Sequence, residues 1–169
     1  GDSTAEGNDV VLQADGKIIV VGMSGAGPYS ELNDFALARY DVDGSLDQGF
    51  GNGGRLKTHF PGVGNTGSNA TSAVLQADGK LIVAGTYKNE GTPNEFALAR
   101  YKTNGSLDPT FGNAGRVTTR TGLGDAAAFA IALANEGIVL AGYSYSTQDR
   151  DFALVRYRPD GTLDRDFGE

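Results

Sequence analysis

The sequence predicts an all-β chain built from three copies of one sheet-forming unit, and two observations carry that prediction. One stretch is written three times: Phe35-Ala36-Leu37-Ala38-Arg39-Tyr40, the same six letters from Phe96 to Tyr101, and Phe152-Ala153-Leu154-Val155-Arg156-Tyr157. Its surroundings repeat with it. Upstream, Leu12 to Gly22 returns as Leu75 to Gly85 and, one residue shorter, as Leu133 to Gly142. Downstream, Asp43-Gly44-Ser45-Leu46-Asp47 with Phe50-Gly51 returns as Asn104 to Asp108 with Phe111-Gly112, and as Asp160 to Asp164 with Phe167-Gly168. The copies lie 61 and 56 residues apart, a period that means one supersecondary unit stacked on itself. Four antiparallel strands per unit of this length describe a β-propeller blade, whereas β-helix repeats are shorter and leucine-rich repeats carry their own consensus.

The elements follow in order. Gly1 to Asp9 is polar and small, without a strand pattern, and Val10-Val11-Leu12 opens the first strand. Asp15-Gly16 is a hairpin turn, and Ile18 to Val21 returns as the second strand. A variable loop, Met23 to Asn33, leads to the third strand, Asp34 to Asp41; Asp43-Gly44 turns the chain, and Arg55 to Phe60 is the fourth. This first blade spans about residues 8–60. The second, about 68–120, gives Ala70 to Gln76, Leu81 to Tyr87, Glu95 to Lys102 and Arg116 to Arg120. The third, about 124–169, gives Ala127 to Leu133, Ile138 to Tyr143 and Asp151 to Arg158, then the turn Pro159-Asp160-Gly161, with no counterpart of the fourth strand. Ala126 to Ala134 is the stretch with most helix propensity. Its counterparts Val10 to Gln13 and Ala73 to Gln76 lead into the same turn, so it reads as a strand, with small residues suited to a crowded axis. The repeated hexapeptide is apolar on both parities: Phe35 and Leu37 point one way, Ala36 and Ala38 the other, so that large residues of one blade pack over small ones of the next.

The 169 residues fall within one domain. With 26 glycines, 5 prolines and 39% hydrophobic residues gathered in short runs, the composition is that of a turn-rich β protein and not of a disordered chain. The formal charge of −7 speaks against binding nucleic acid through its phosphates. The absence of cysteine excludes disulfides, thiolate nucleophiles and Cys-ligated zinc. No apolar run approaches the length of a membrane span, and the N-terminal residues lack the basic and hydrophobic parts of a signal peptide.

At the segments just quoted the chain resembles the bacterial β-propeller repeats often called delta-60 repeats, whose pattern runs DGKIVVAG, DFALARY, DGSLD, FG and a short Gly-Arg/Lys-Val-Thr strand. The likeness covers nearly the whole chain, with Gly54-Arg55-Leu56 and Gly115-Arg116-Val117 completing it. More loosely the layout is similar to NHL-type propellers. The resemblance implies large secreted or surface-anchored proteins with no established catalytic residues. Since propellers typically close with about 4–8 blades, the chain is expected to be part of a larger propeller, or a protomer that completes a ring or extends a filament with copies of itself. The unpaired terminal strand edge invites a donor strand from another chain.

Candidate site residues fall into a few groups. Arg39, Arg100 and Arg156 recur with Asp47, Asp108 and Asp164, either as a charged binding ring or as a bidentate pair tying the third strand to the turn after it. Asp41-Val42-Asp43-Gly44-Ser45-Leu46-Asp47 has the alternating carboxylates of a calcium loop, but the sister loops begin with Lys102 and Arg158 and a hairpin turn suffices. His59 is the single histidine; a general base needs a positioned partner and a metal needs several converging ligands. Ser24 and Ser144 lack a nucleophile-elbow context, and no helix follows the glycine-rich Gly51 to Gly54 and Gly62 to Gly64 to receive a phosphate. Asn69-Ala70-Thr71 and Asn104-Gly105-Ser106 fit the N-glycosylation acceptor pattern. The loops where the repeats disagree, Met23 to Asn33, Lys88 to Asn94, Ser144 to Arg150, Pro61 to Asn69 and Thr121 to Asp125, are expected on one face, and the tight Asp/Asn-Gly turns on the other. Tyr29, Tyr87, Tyr143 and Tyr145 lie at or near the loop face, placed to stack on a sugar or anchor a protein. The expected function is thus a non-enzymatic extracellular or cell-surface structural or interaction module, partnered by copies of itself or further blades; the alternative is a glycan- or ligand-binding propeller. No cofactor is implied.

Overall fold

A computed structural model describes residues 4–25, 32–134, 137–146 and 149–168. Among them are eleven strands and no helix, in three antiparallel sheets. In the first, β1 (Thr4–Leu12), β2 (Ile18–Gly25), β3 (Asp34–Tyr40) and β4 (Arg55–Thr58) pair in chain order; β5 (Thr66–Leu75), β6 (Leu81–Asn89), β7 (Glu95–Tyr101) and β8 (Arg116–Thr119) do the same. The third sheet holds β9 (Ala126–Ala134), β10 (Gly137–Tyr145) and β11 (Arg150–Tyr157). These are the four-, four- and three-stranded blades that the repeat predicts. The alanine-rich segment is β9: Ala126 pairs with Ser144 and Ala134 with Gly137, so cross-strand pairing overrides helix propensity.

The strands outrun the sequence expectation at one end. Residues 4–9, expected without a strand, belong to β1 because Thr4 to Gly7 pair with Gly22 to Gly25. Likewise β5 begins at Thr66, inside the expected loop, and β6 runs on to Asn89. Ladder hydrogen bonds come from the backbone, so small and polar residues continue a strand whose neighbour is already in place.

Each inner strand carries one bulge at the same repeat position. Asn8, Thr71 and Phe129 are the extra residues, each opposite a glycine, Gly22, Gly85 or Gly142. A Cβ at those glycines would stand 1.8, 1.9 and 2.0 Å from the carbonyl oxygens of Glu6, Asn69 and Ala127, so only glycine fits. Two bulged residues reach the next blade: Asn8 Nδ2 donates to Ala70 O at 2.8 Å and Thr71 Oγ1 to Ala128 O at 2.7 Å.

The core lies between the blades. The large face of the first blade, Ile19, Val21, Phe35 and Leu37, packs on Leu81, Val83, Ala97, Ala99 and Tyr101 of the second. The other face of that second sheet, Ile82, Ala84, Phe96 and Leu98, packs on Ala126, Ala128, Ile138, Leu140 and Tyr157 of the third. Each junction joins one large face to one small face. The ends of the stack are left with unmatched halves: Ala36, Ala38 and Tyr40 are only half-buried, while Phe152 is 103% and Leu154 58% exposed, although Phe35 and Phe96 are 0% exposed.

The expected division of loops is present. Val63 N donates to Asn89 Oδ1 and Asn65 N to Glu90 Oε2, so the loops following second and fourth strands sit together at one end of the blades. Much of the Met23–Asn33 loop, residues 26–31 and with it Tyr29, lies outside the described residues.

Candidate functional site

The recurring arginine and aspartate meet within each blade because the backbone brings them there. The amides of Asp47, Asp108 and Asp164 donate to the carbonyls of Arg39, Arg100 and Arg156 at 3.0, 2.8 and 2.9 Å. Arg39 Nε then donates to Asp47 Oδ2 at 2.7 Å, Arg100 Nε stands 2.9 Å from Asp108 Oδ2, and Arg156 Nε donates to Asp164 Oδ2 at 2.6 Å. The pairing uses one nitrogen, where a bidentate fork was expected. The second guanidinium arm points out of the blade instead.

Arg39 Nη1 donates to Thr103 O at 2.5 Å and Arg100 Nη1 to Pro159 O at 2.6 Å, both in the turn after the third strand of the next blade. One residue further along that turn, Asn104 O accepts from Gly51 N at 2.9 Å and Asp160 O from Gly112 N at 2.7 Å. The phenyl rings of Phe50 and Phe111 lie 4.5 and 4.6 Å from the Arg39 and Arg100 guanidinium carbons. They also form the floor on which the turn glycine rests. A Cβ at Gly105 would come within 3.0 Å of the Phe50 ring, and one at Gly161 within 2.9 Å of the Phe111 ring, so the glycine sets the approach distance. Arginine, aspartate, phenylalanine and the following Gly N–H thus make a socket, and the Asx-Gly turn of the next blade is its plug.

A third charged residue was missed by the sequence reading. Lys17 Nζ reaches Asp47 Oδ2 at 2.8 Å and Asp41 at 2.7 Å, and Lys80 Nζ reaches Asp108 Oδ2 at 3.1 Å. Its signal was the lysine after Asp-Gly in the first two repeats; the third has none, and Arg158 stands 3.9 Å from Asp164. The hydrogen bond from Lys17, helped by the Gly49 amide and Arg39, lowers the Asp47 carboxyl to about 2 against the opposing effect of burial. Burial pushes Asp108 upward, but the Thr110 hydroxyl and amide, Lys80 and Arg100 outweigh it and hold the carboxyl well below the usual range.

The carboxylates of the calcium-like loop are spoken for: Asp41 and Asp47 by Lys17, and Asp43 by the amide and hydroxyl of Ser45. Asn104 and Asp160 hold Ser106 and Thr162 in the same way, which shapes the plug.

The tyrosines of the loop face separate. Tyr87 is 5% exposed, packs against Phe60 and donates its hydroxyl to Pro61 O at 3.0 Å, so it is a core residue and not a platform for a ligand. Its position at the far end of β6 turns it toward the first blade. Tyr143 and Tyr145 stand together, ring centroids 5.5 Å apart, with Phe129 another 5.5 Å from Tyr143 and the Arg150 guanidinium over the Tyr143 ring at 3.8 Å. Phe129 and Tyr143 line one side of an open groove of about 370 Å³, with Asn69, Thr71, Thr86 and Asn94 among its polar lining.

His59 does find a positioned partner. Its Nδ1 lies 3.0 Å from Asp34 Oδ1, and Nε2 lies 3.4 Å from Thr66 Oγ1. The order carboxylate, imidazole, hydroxyl is that of a hydrolytic triad, but Thr66 is buried in β5 and 7% exposed.

Blades of antiparallel strands stacked face to face, with a socket and plug repeated at each junction, define a β-propeller repeat protein. The chain belongs to the family described as a β-propeller domain of unknown function, DUF5122, whose model matches residues 13–50, 76–111 and 137–167. Each matched segment closes on the socket phenylalanine, Phe50, Phe111 or Phe167. No curated protein and no solved structure matches the chain.

Proposed function

We propose that this chain is a non-enzymatic structural and interaction module, extracellular or at the cell surface, that engages further propeller blades through its open end. One observation carries the reading. Residues 35–38 and 96–99 pair with a fourth strand, whereas residues 152–155 of β11 have no partner on that edge among the described residues, beside the exposed Phe152 and Leu154. A bare edge with an apolar flank is a template for another strand. The extracellular placement rests on the resemblance of the repeats to those of secreted and surface-anchored proteins. A peptide with the β8 sequence, Gly115 to Arg120, tests the open edge: it should bind and protect the amides of residues 152–155 from hydrogen exchange. Lack of binding would count against the module reading, and ester hydrolysis lost on His59→Ala would overturn its non-enzymatic part. Detection of the protein only inside intact cells would overturn the placement.

The aromatic group Phe129, Tyr143 and Tyr145 beside an open groove of mixed polar and apolar lining favours a second reading, a glycan or small-ligand site on the loop face. Carbohydrate binding that disappears on Tyr145→Ala and survives Tyr87→Ala would support it.

A further inference from the structure

Arg116 opens β8, the outermost strand of the second blade, where it stands opposite Ala99, and Thr118 stands opposite Ala97. Residues paired across strands share a face of the sheet, and both alanines are buried in the core formed with the first blade, so Arg116 and Thr118 also look toward that blade. The arginine meets no counter-charge there. Its Nε is buried without an acceptor, its Nη1 stands 3.5 Å from Ala114 O, and among the described residues it joins no ion pair. The repeat arginines Arg39, Arg100 and Arg156, by contrast, each hold an aspartate. Burying part of a guanidinium with no anion beside it is costly, and an orphaned buried donor marks a place where an ion or ligand is received.

Beside it lies a cavity of about 230 Å³, walled by Phe60 and Pro61 of the first blade and by Asn113, Ala114, Arg116 and Thr118 of the second. Both walls belong to adjoining blades inside the chain, and none of these residues lines the loop-face groove. Nor is the cavity a repeat feature. The equivalents of Phe60 and Pro61 one blade on are Thr121 and Gly122, and Ala114, at φ 50° the one non-glycine with positive φ among the described residues, stands where the first blade has Gly53. The side chains of Asn113 and Thr118 have no hydrogen-bond partner among the described residues, and no carboxylate lines the space. In a chain of net charge −7, an anion is drawn to a cation that no carboxylate of the protein has claimed. The guanidinium fork matches a carboxylate, Phe60 and Pro61 suit a short alkyl chain, and the space is smaller than the roughly 300–1,000 Å³ of a pocket for larger ligands. We infer that this junction of the first and second blades binds a small aliphatic carboxylate, its oxygens accepting from the terminal nitrogens of Arg116 and the Thr118 hydroxyl, its alkyl end lying against Phe60 and Pro61.

Proton–nitrogen correlation spectra of the 169-residue chain, titrated with sodium butyrate at ionic strength held constant by sodium chloride, test the site. Shifts that saturate should appear at the amides of Phe60 and residues 113–118 and at the Arg116 Nε–H, with a dissociation constant on the order of 1 mM for so small a ligand. Arg116→Met, which keeps the length of the side chain, should weaken binding at least about tenfold through loss of the charge-assisted hydrogen bonds. Without butyrate the same variant should keep or raise the denaturation midpoint, because the charge it removes has no partner to lose. Thr118→Glu sets a tethered carboxylate on the same face two residues along, and should abolish the butyrate shifts while the chain stays folded. Shifts that fail to saturate, that sodium phosphate reproduces at equal concentration, or that persist in Arg116→Met or Thr118→Glu would each overturn the proposal. So would a lowered midpoint in Arg116→Met without butyrate, since the protein itself would then be holding the arginine.

Discussion

Phe111 and Phe167 occupy one repeat position, both over an arginine, and differ in what surrounds them: Phe111 has the next blade's turn on its ring and its own blade's fourth strand beside it, and Phe167 has neither among the described residues. Phe111 is 0% exposed, 4.6 Å from the Arg100 guanidinium carbon and in contact with the Gly161 turn. Truncating a fully buried phenylalanine costs about 3–5 kcal/mol, and the lost cation–π contact contributes about 0.5–2 kcal/mol of that in such a site. Domains of this kind are stable by about 5–15 kcal/mol, so Phe111→Ala should remove a large share of the whole. Phe167 is only half-buried, with Arg156 over its ring and, among the described residues, no turn of another blade upon it, so Phe167→Ala should cost about 1 kcal/mol or less when the protein is dilute. Guanidinium denaturation of both variants, followed by circular dichroism, measures the difference, with the slope unchanged and the midpoint moved. If the two variants lose the same stability in dilute solution, the phenylalanine serves its own blade and the socket-and-plug account of the junctions fails.

Three further outcomes follow from the same geometry. Gly85→Ala puts a methyl 1.9 Å from Asn69 O, and should destabilise by about 1–3 kcal/mol or more, as overpacking does, seen as a lower denaturation midpoint; an unaffected midpoint would mean that the inner-strand bulge is not fixed. Asp47, at about 2, and Asp108, lower still, titrate below the roughly 3.9 of an unfolded aspartate, so their contribution is complete above about pH 5 and is lost as the pH falls toward 2. Asp108→Asn should start less stable at neutral pH and lose less on acidification. Burial raises Tyr101 and lifts Tyr157 to about 12, above the unfolded value of about 10, so stability present below pH 10 is lost as the pH climbs through 12. Absorbance at 295 nm should then show two phenols ionising only with unfolding, and smooth titration of all seven would contradict their burial.

Most of the fold was legible because it is written in triplicate. The repeat fixed strand order, overrode the helix propensity of Ala126–Ala134, and placed large and small faces of the hexapeptide correctly against one another. Strand ends were not legible: Thr4 to Asp9 and Thr66 to Asn69 carry no apolar alternation, and their pairing is decided by the length of the neighbouring strand. The arginine–aspartate pair could be read from spacing alone. Its outward arm could not, because the acceptor is a backbone carbonyl, Thr103 O or Pro159 O, about sixty residues away on residues of unlike kind. For the same reason Tyr87 was read as a loop-face residue: its sequence position is next to a loop, but the direction of its ring depends on a neighbouring blade.

The packing of blade on blade is tested most directly by the α-protons of three equivalent glycines, Gly44, Gly105 and Gly161, in nuclear magnetic resonance spectra of dilute protein. Gly105 and Gly161 rest on the rings of Phe50 and Phe111, so each should show an α-proton moved strongly upfield with cross-peaks to aromatic protons, while Gly44 keeps an ordinary shift. Three alike, all at ordinary shifts, would contradict the stacked blades.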